Sequence, residues 1–155
     1  MENEDSAPMV FAPARYSLIV FVLFLSAIAG ASAAPVRLIY DTDMQTDCVD
    51  VGALAVLHAL ADAGEVEILG TMICVLNPWA APCTDAINTY YGRPHIPLGQ
   101  LKGTDGVNIT SKYTQGIAQG FPQDTGSAAN APDATPLYRQ LLAQEADNSV
   151  VILSV

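Results

Sequence analysis

Aspartates occupy four of the ten positions from 41 to 50: Asp41, Asp43, Asp47 and Asp50, in the stretch Leu38-Ile39-Tyr40-Asp41-Thr42-Asp43-Met44-Gln45-Thr46-Asp47-Cys48-Val49-Asp50. Carboxylates this dense repel one another unless a cation joins them, and an all-oxygen set favours a hard ion, calcium or magnesium, over zinc. Capping of a helix would account for one of them, and Asp50 is well placed for it. A solvated loop charge would account for another. Neither accounts for Asp41, Asp43 and Asp47 together, directly after an apolar run.

The elements that must hold these side chains follow from the pattern on either side. Val36 to Tyr40 reads as a short buried strand of a parallel sheet covered on both faces. From Asp50 onward Ala53, Leu54, Leu57, Leu60 and Ala61 recur at helical spacing, so a helix packs back on that strand. The aspartates then lie at the carboxyl end of a strand, where open α/β sheets bind their ligands. Gly64 ends the helix, and Val66 to Ile73 forms a second buried strand. Asn77-Pro78-Trp79-Ala80-Ala81-Pro82 is a turn and helix start, with the helix running to about Tyr91 and Tyr90 and Tyr91 half-buried. Ile96 to Gly99 is a third strand. The order β-α-β-α-β opens a doubly wound, mainly parallel α/β sheet with right-handed crossovers.

From Lys102 to Thr135 the chain is rich in glycine and small polar residues, and it reads as a long loop with one weak helix near Tyr113. Pro136 opens a last helix through Gln144, with Leu137, Leu141 and Leu142 facing inward. Ser149 to Val155 is a further buried strand. A parallel strand is normally followed by a crossover that covers it. The expectation is therefore a C-terminally truncated domain.

At 155 residues the chain holds one domain at most, and with 51% hydrophobic and 14% charged residues it is no disordered acidic tail. Tyr16 to Gly30 is an uninterrupted apolar segment after Arg15, followed by Ala31-Ser32-Ala33. That is the layout of a signal peptide over 1–33, cleaved after Ala33, with an uncleaved membrane anchor as the lesser alternative. The expected product, 34–155, is secreted or periplasmic and keeps no stable membrane association. Residues 1–33 contain three acids and one base, so the net charge of −10 becomes −8 on cleavage. Such a surface repels phosphate backbones and excludes nucleic acid as a partner. Cys48, Cys74 and Cys83 show no C-x-x-C spacing, so neither a zinc site nor a disulfide framework is indicated; a Cys74–Cys83 pair stays open. Asn108-Ile109-Thr110 is a formal glycosylation sequon. The oligomeric state is not legible, and a homo-oligomer stays open.

The Asp-rich strand end, the Gly52-Ala53-Leu54 helix and the Asn77-to-Pro82 turn resemble the inosine–uridine-type nucleoside hydrolase family, in particular its secreted bacterial branch. In that branch the loop runs D-T-D-x-G-x-D-x-D-D followed by x-x-A-L. The resemblance spans about Val36 to Val155 and is specific in the first half of that span. It implies calcium-assisted hydrolysis of the N-glycosidic bond of a nucleoside or related small riboside. By position, Asp43 resembles the aspartate that binds calcium and activates the attacking water, and Asp50 a second calcium ligand. Asp41 matches the first aspartate of D-T-D, which with Asp47 supports the loop, and Asn77 an asparagine that contacts the ribose. Such chemistry builds an oxocarbenium-like ribose that anionic oxygens stabilise.

Two positions depart from the pattern. Val49 stands where the family has a ribose-gripping aspartate, and Gln45 where it has a turn-forming glycine. The family's remaining calcium ligand and leaving-group acid lie in a C-terminal half not found in this chain, and His58 and His95 read as structural or surface residues rather than as that acid. No turnover is therefore expected of the chain as it stands. The alternative from another class is a non-catalytic calcium- or sugar-binding remnant on the same fold. An Asp-nucleophile phosphatase fits less well because Gln45 falls where that motif wants threonine or valine. An EF-hand fits least, since Gly52 falls where it needs a bidentate glutamate.

Overall fold

Eight elements follow one another along the chain in the computed structural model, which describes residues 33–109 and 111–155. They are β1 (Val36–Thr42), α1 (Val49–Asp62), β2 (Val66–Ile73), α2 (Ala80–Tyr90), β3 (Leu98–Gln100), α3 (Lys112–Gly120), α4 (Ala134–Leu142) and β4 (Val150–Ser154). The signal-type segment, its Ala31-Ser32-Ala33 site apart from Ala33, and Thr110 of the sequon lie outside the described residues. No helix among the described residues is long and apolar enough to cross a membrane.

The four strands form one sheet in the order β3-β2-β1-β4, and every pairing is parallel. This is a doubly wound, mainly parallel α/β fold. The chain moves outward from β1 through β2 to β3, then returns to place β4 on the other side of β1. The order of strands thus reverses at the β1–β4 boundary, which is the topological switch point of the sheet.

Alternation along β1 builds the two layers. Leu38 and Tyr40 face α1 and α2, where they are buried with Leu54, Leu57, Ala80, Cys83 and Ile87. Ile39 faces the opposite way and packs with Met72 and Ala134, against which Leu137, Tyr138 and Leu141 of α4 lie. Helix α3 packs on α2 rather than on the sheet. The close fit of α4 depends on two glycines in the strands beneath it. A side chain at Gly99 would meet Ala134 Cα at 2.7 Å, and one at Gly70 would meet Leu141 Cδ1 at 2.6 Å. Leaving out a side chain there lets backbone and helix approach.

The helix near Tyr113 is a full element, with the Ser111 side chain accepting from Thr114 N at its start. Helix α4 begins earlier than expected because Asp133 caps it by accepting from Thr135 N; Pro136 falls within its first turn. Leu142, expected inward, is 39% exposed at the helix end, and Tyr90, expected half-buried, is 74% exposed. The three cysteines are free, Cys48 and Cys74 exposed and Cys83 buried, so Cys74 and Cys83 are not paired.

Candidate functional site

Strand β1 runs two residues further than its apolar stretch, so Asp41 and Thr42 are sheet residues and Asp43 is the first beyond it. Parallel pairing fixes both: Asp41 lies between Met72 and Ser154, and Thr42 beside Ile73. The connection to α1 is then anchored by Met44 and Gln45, both buried. Met44 sits in the core with the Thr84 hydroxyl 3.4 Å from its sulfur, and its N–H donates to Thr42 Oγ1 over 3.2 Å. Gln45 Oε1 accepts from Ile109 N at 3.1 Å. Its backbone is not in the left-handed region, so the turn forms without the glycine its position would lead one to expect.

Asp50 is not the N-cap of α1; Cys48 takes that place, and Asp50 is in the first turn. Its side chain points inward instead, leaving the residue only 3% exposed. The Thr42 hydroxyl donates to Asp50 Oδ1, and the Tyr40 hydroxyl donates to the Asp50 carbonyl at 2.9 Å. Burial pushes the Asp50 carboxyl above the usual carboxylate range; the Thr42 bond pulls it back down in part, and the charges of Asp43 and Asp47 push it up again. The N-terminus of α1 favours an anion there, but burial beside other acids opposes it, and a bound cation would relieve that cost.

The remaining aspartates have separate tasks. Asp47 is exposed and accepts from Val49 N at 3.0 Å, bracing the start of α1. Asp43 is exposed at the strand end. Asp41 turns to the other layer, where the Tyr138 hydroxyl donates to its Oδ2 at 2.5 Å. Among the described residues no group of three His, Cys, Asp or Glu side chains is arranged to hold a metal ion. Asp43 and Asp50 are the two carboxylates near the end of β1 that make no bond, among the described residues, to another element's backbone or to α4, whereas Asp47 is bonded to Val49 N and Asp41 to Tyr138.

Asn77, after β2, is fully buried. Its Oδ1 accepts from Trp79 N at 2.9 Å, and its Nδ2 donates to Ile109 O at 3.3 Å and lies 3.5 Å from Thr114 Oγ1. Gln45 and Asn77 thus hold both backbone groups of Ile109, tying the long loop down over the strand ends. Val49, by contrast, is 62% exposed in the first turn of α1, beside the acidic loop.

Three residues matter here that their sequence positions do not advertise. Thr42 is the hydroxyl partner of Asp50, and alternation along β1 places it on the α1 side with Leu38 and Tyr40. Tyr138 comes from a helix nearly a hundred residues away, and no local spacing signals it. Asp85 is buried in α2 and accepts from Asp124 N, Thr125 N and Thr125 Oγ1 at 2.8–2.9 Å, ordering the loop before α4. His58 is buried and bonded to Asn88, and His95 is exposed, so both are placed as structural and surface residues.

No family model matches the chain, and no curated protein matches it either. Among solved structures, that of the effector protein XOO4466 is similar, with a TM-score of 0.55, 15% identity and a match over 88% of this chain and 39% of that one. The chain therefore spans about two fifths of the length of that relative, and at this identity the likeness is one of fold: a parallel α/β sheet with helices on both faces.

Proposed function

We propose that the carboxyl end of β1 is a calcium site of the N-riboside hydrolase type, which takes a nucleoside or related small riboside. The observation that carries this reading is Asp50: a carboxylate buried beside two further acids, at the point where the strand order reverses and where sheets of this kind bind ligands. Asp43 and Asp50 would hold the ion, which supplies a water of lowered pKa when bound. Thr42 fixes the Asp50 carboxylate, Asp47 braces the helix behind it, and Asn77 is the residue nearest in kind to a ribose contact. Asn77 reaches a sugar hydroxyl by exchanging its 3.3 Å bond to the Ile109 carbonyl for it.

A second reading, non-catalytic calcium or sugar binding on the same fold, is favoured by two particular observations. Val49 puts an exposed methyl pair where a ribose-gripping carboxylate is wanted, and both ends of the Asn77 amide are already satisfied within the protein. Binding and turnover are thereby separable. A charged hydrogen bond to a sugar hydroxyl is worth about 1.5–3 kcal/mol, or roughly tenfold to a hundredfold in affinity. In thermal-shift titrations with inosine at saturating calcium, the chain should bind weakly and Val49→Asp should strengthen binding by that factor, with Asp43→Ala abolishing it. Inosine binding by neither protein would remove the riboside from the reading and leave the ion.

A further inference from the structure

Four carboxylates lie within ten residues, and the fold sends them different ways, with Asp43 and Asp50 the pair read above as ion ligands. Successive residues of β1 are sent to opposite layers, Thr42 to the α1 side, where it meets Asp50, and Asp41 to the α4 side. There the Tyr138 hydroxyl takes Asp41 Oδ2 at 2.5 Å, a distance typical of a hydroxyl bonded to a charged carboxylate. Tyr138 is itself half-buried, on the face of α4 that packs against Ile39 and Met72. Burial, and then the bond to Asp41 and its charge, push the phenol above its ordinary range, so it remains a donor across the working pH range.

We propose that Tyr138 is a positioning residue for the ion site: by holding the Asp41 carboxylate on the far face of the sheet, it fixes where the end of β1 delivers Asp43. The bond sits at the switch point itself. Asp41 pairs with Ser154 of β4, its carbonyl accepts from Val155 N at 3.1 Å, and α4 is the helix that leads into β4. One hydroxyl thus ties α4 to Asp41, the β1 residue that pairs with the returning strand and stands two positions before Asp43. Without it the α4 side of the strand end loses its side-chain anchor, and only the backbone pairing of Asp41 and the bonds on the α1 side hold it.

The inference rests on the calcium reading above, and the test separates the two. Calcium affinity is measured by calorimetry for the wild-type chain, Tyr138→Phe, Asp41→Ala, Asp41→Asn and the double variant Tyr138→Phe/Asp41→Ala, with calcium-free melting recorded for each. Tyr138→Phe and Asp41→Ala should each weaken calcium about tenfold, and the double variant no further. Asp41→Asn, which keeps an oxygen for the hydroxyl, should stay within about threefold of wild type. Calcium-free melting should change little in Tyr138→Phe, whereas a merely structural role would move melting and spare affinity. Wild-type affinity in Tyr138→Phe overturns the proposal. Should Tyr138→Phe not fold, equal losses in Asp41→Asn and Asp41→Ala overturn it instead. If the wild-type chain takes no calcium, the ion reading falls, and amide exchange over residues 43–48 decides the positioning: faster exchange in Tyr138→Phe upholds it and unchanged exchange refutes it.

Discussion

Asp50 is held in the folded chain against its own preference. It is almost wholly removed from water, its side chain accepts one short bond from Thr42, and two acidic neighbours oppose its charge. In the absence of an ion such a carboxylate weakens the fold, because its charged form is better solvated in the unfolded chain. Asp50→Asn keeps the oxygen that Thr42 bonds and removes the charge. It should therefore raise the calcium-free melting temperature by roughly 2–4 °C while calcium no longer raises it further. Lower calcium-free stability in the variant would mean that the charge is already compensated within the protein. The crowding of four aspartates at a strand end was legible from spacing alone. The division of labour within it was not, because Asp41, Asp43, Asp47 and Asp50 look alike until the strand's alternation and a distant tyrosine tell them apart.

Elements were legible where periodicity was strong and less so where a cap or a buried polar group decided the boundary. β2 falls where its apolar run predicted, and α1 within a residue or two, since burial and pattern agree there. α3 is short and polar, and it depends on the Ser111 cap and on Tyr113 and Ile117 packing against the core, neither of which shows as a run of apolar residues. The joint between α1 and α2 holds the clearest pH dependence. His58 Nε2 lies 3.0 Å from Asn88 Oδ1, Nδ1 lies 3.4 Å from Arg93 Nη1, and the ring stacks on Tyr91 at 4.6 Å. Arg93 is in turn bonded to Asp62 at 2.5 Å. The arrangement suits a neutral ring that donates to Asn88 and accepts from Arg93. Burial lowers the His58 pKa first, the Asn88 bond opposes this, and the Arg93 charge lowers it again, with Asp62 opposing. A histidine with a lowered folded pKa contributes stability that is full above its unfolded value of about 6.5 and is lost as pH falls below it. Melting temperature should thus drop between about pH 6.5 and 5 in the wild-type chain, and this step should be much smaller in His58→Gln. Equal slopes in both proteins would assign the acid sensitivity to other groups.

At the scale of the molecule, the doubly wound parallel sheet followed from the alternation of apolar runs and helical patterns, and the strand order supplied what pattern could not. No spacing in the sequence says that β4 returns to the far side of β1 rather than adding beyond β3. That return creates the switch point, and the switch point turns a row of aspartates into a candidate site rather than a charged loop. The similarity to the solved effector protein supports the same architecture and carries nothing about chemistry, so the proposed function rests on the acids at the end of β1. The direct test is calcium calorimetry on the chain alongside the double variant Asp43→Ala/Asp50→Ala, with magnesium as the competing ion. Heat that saturates at one calcium per chain in the wild type, and vanishes in the double variant, is the predicted result. The same heat in both proteins, or none in the wild type, would contradict the claim that these two carboxylates hold an ion.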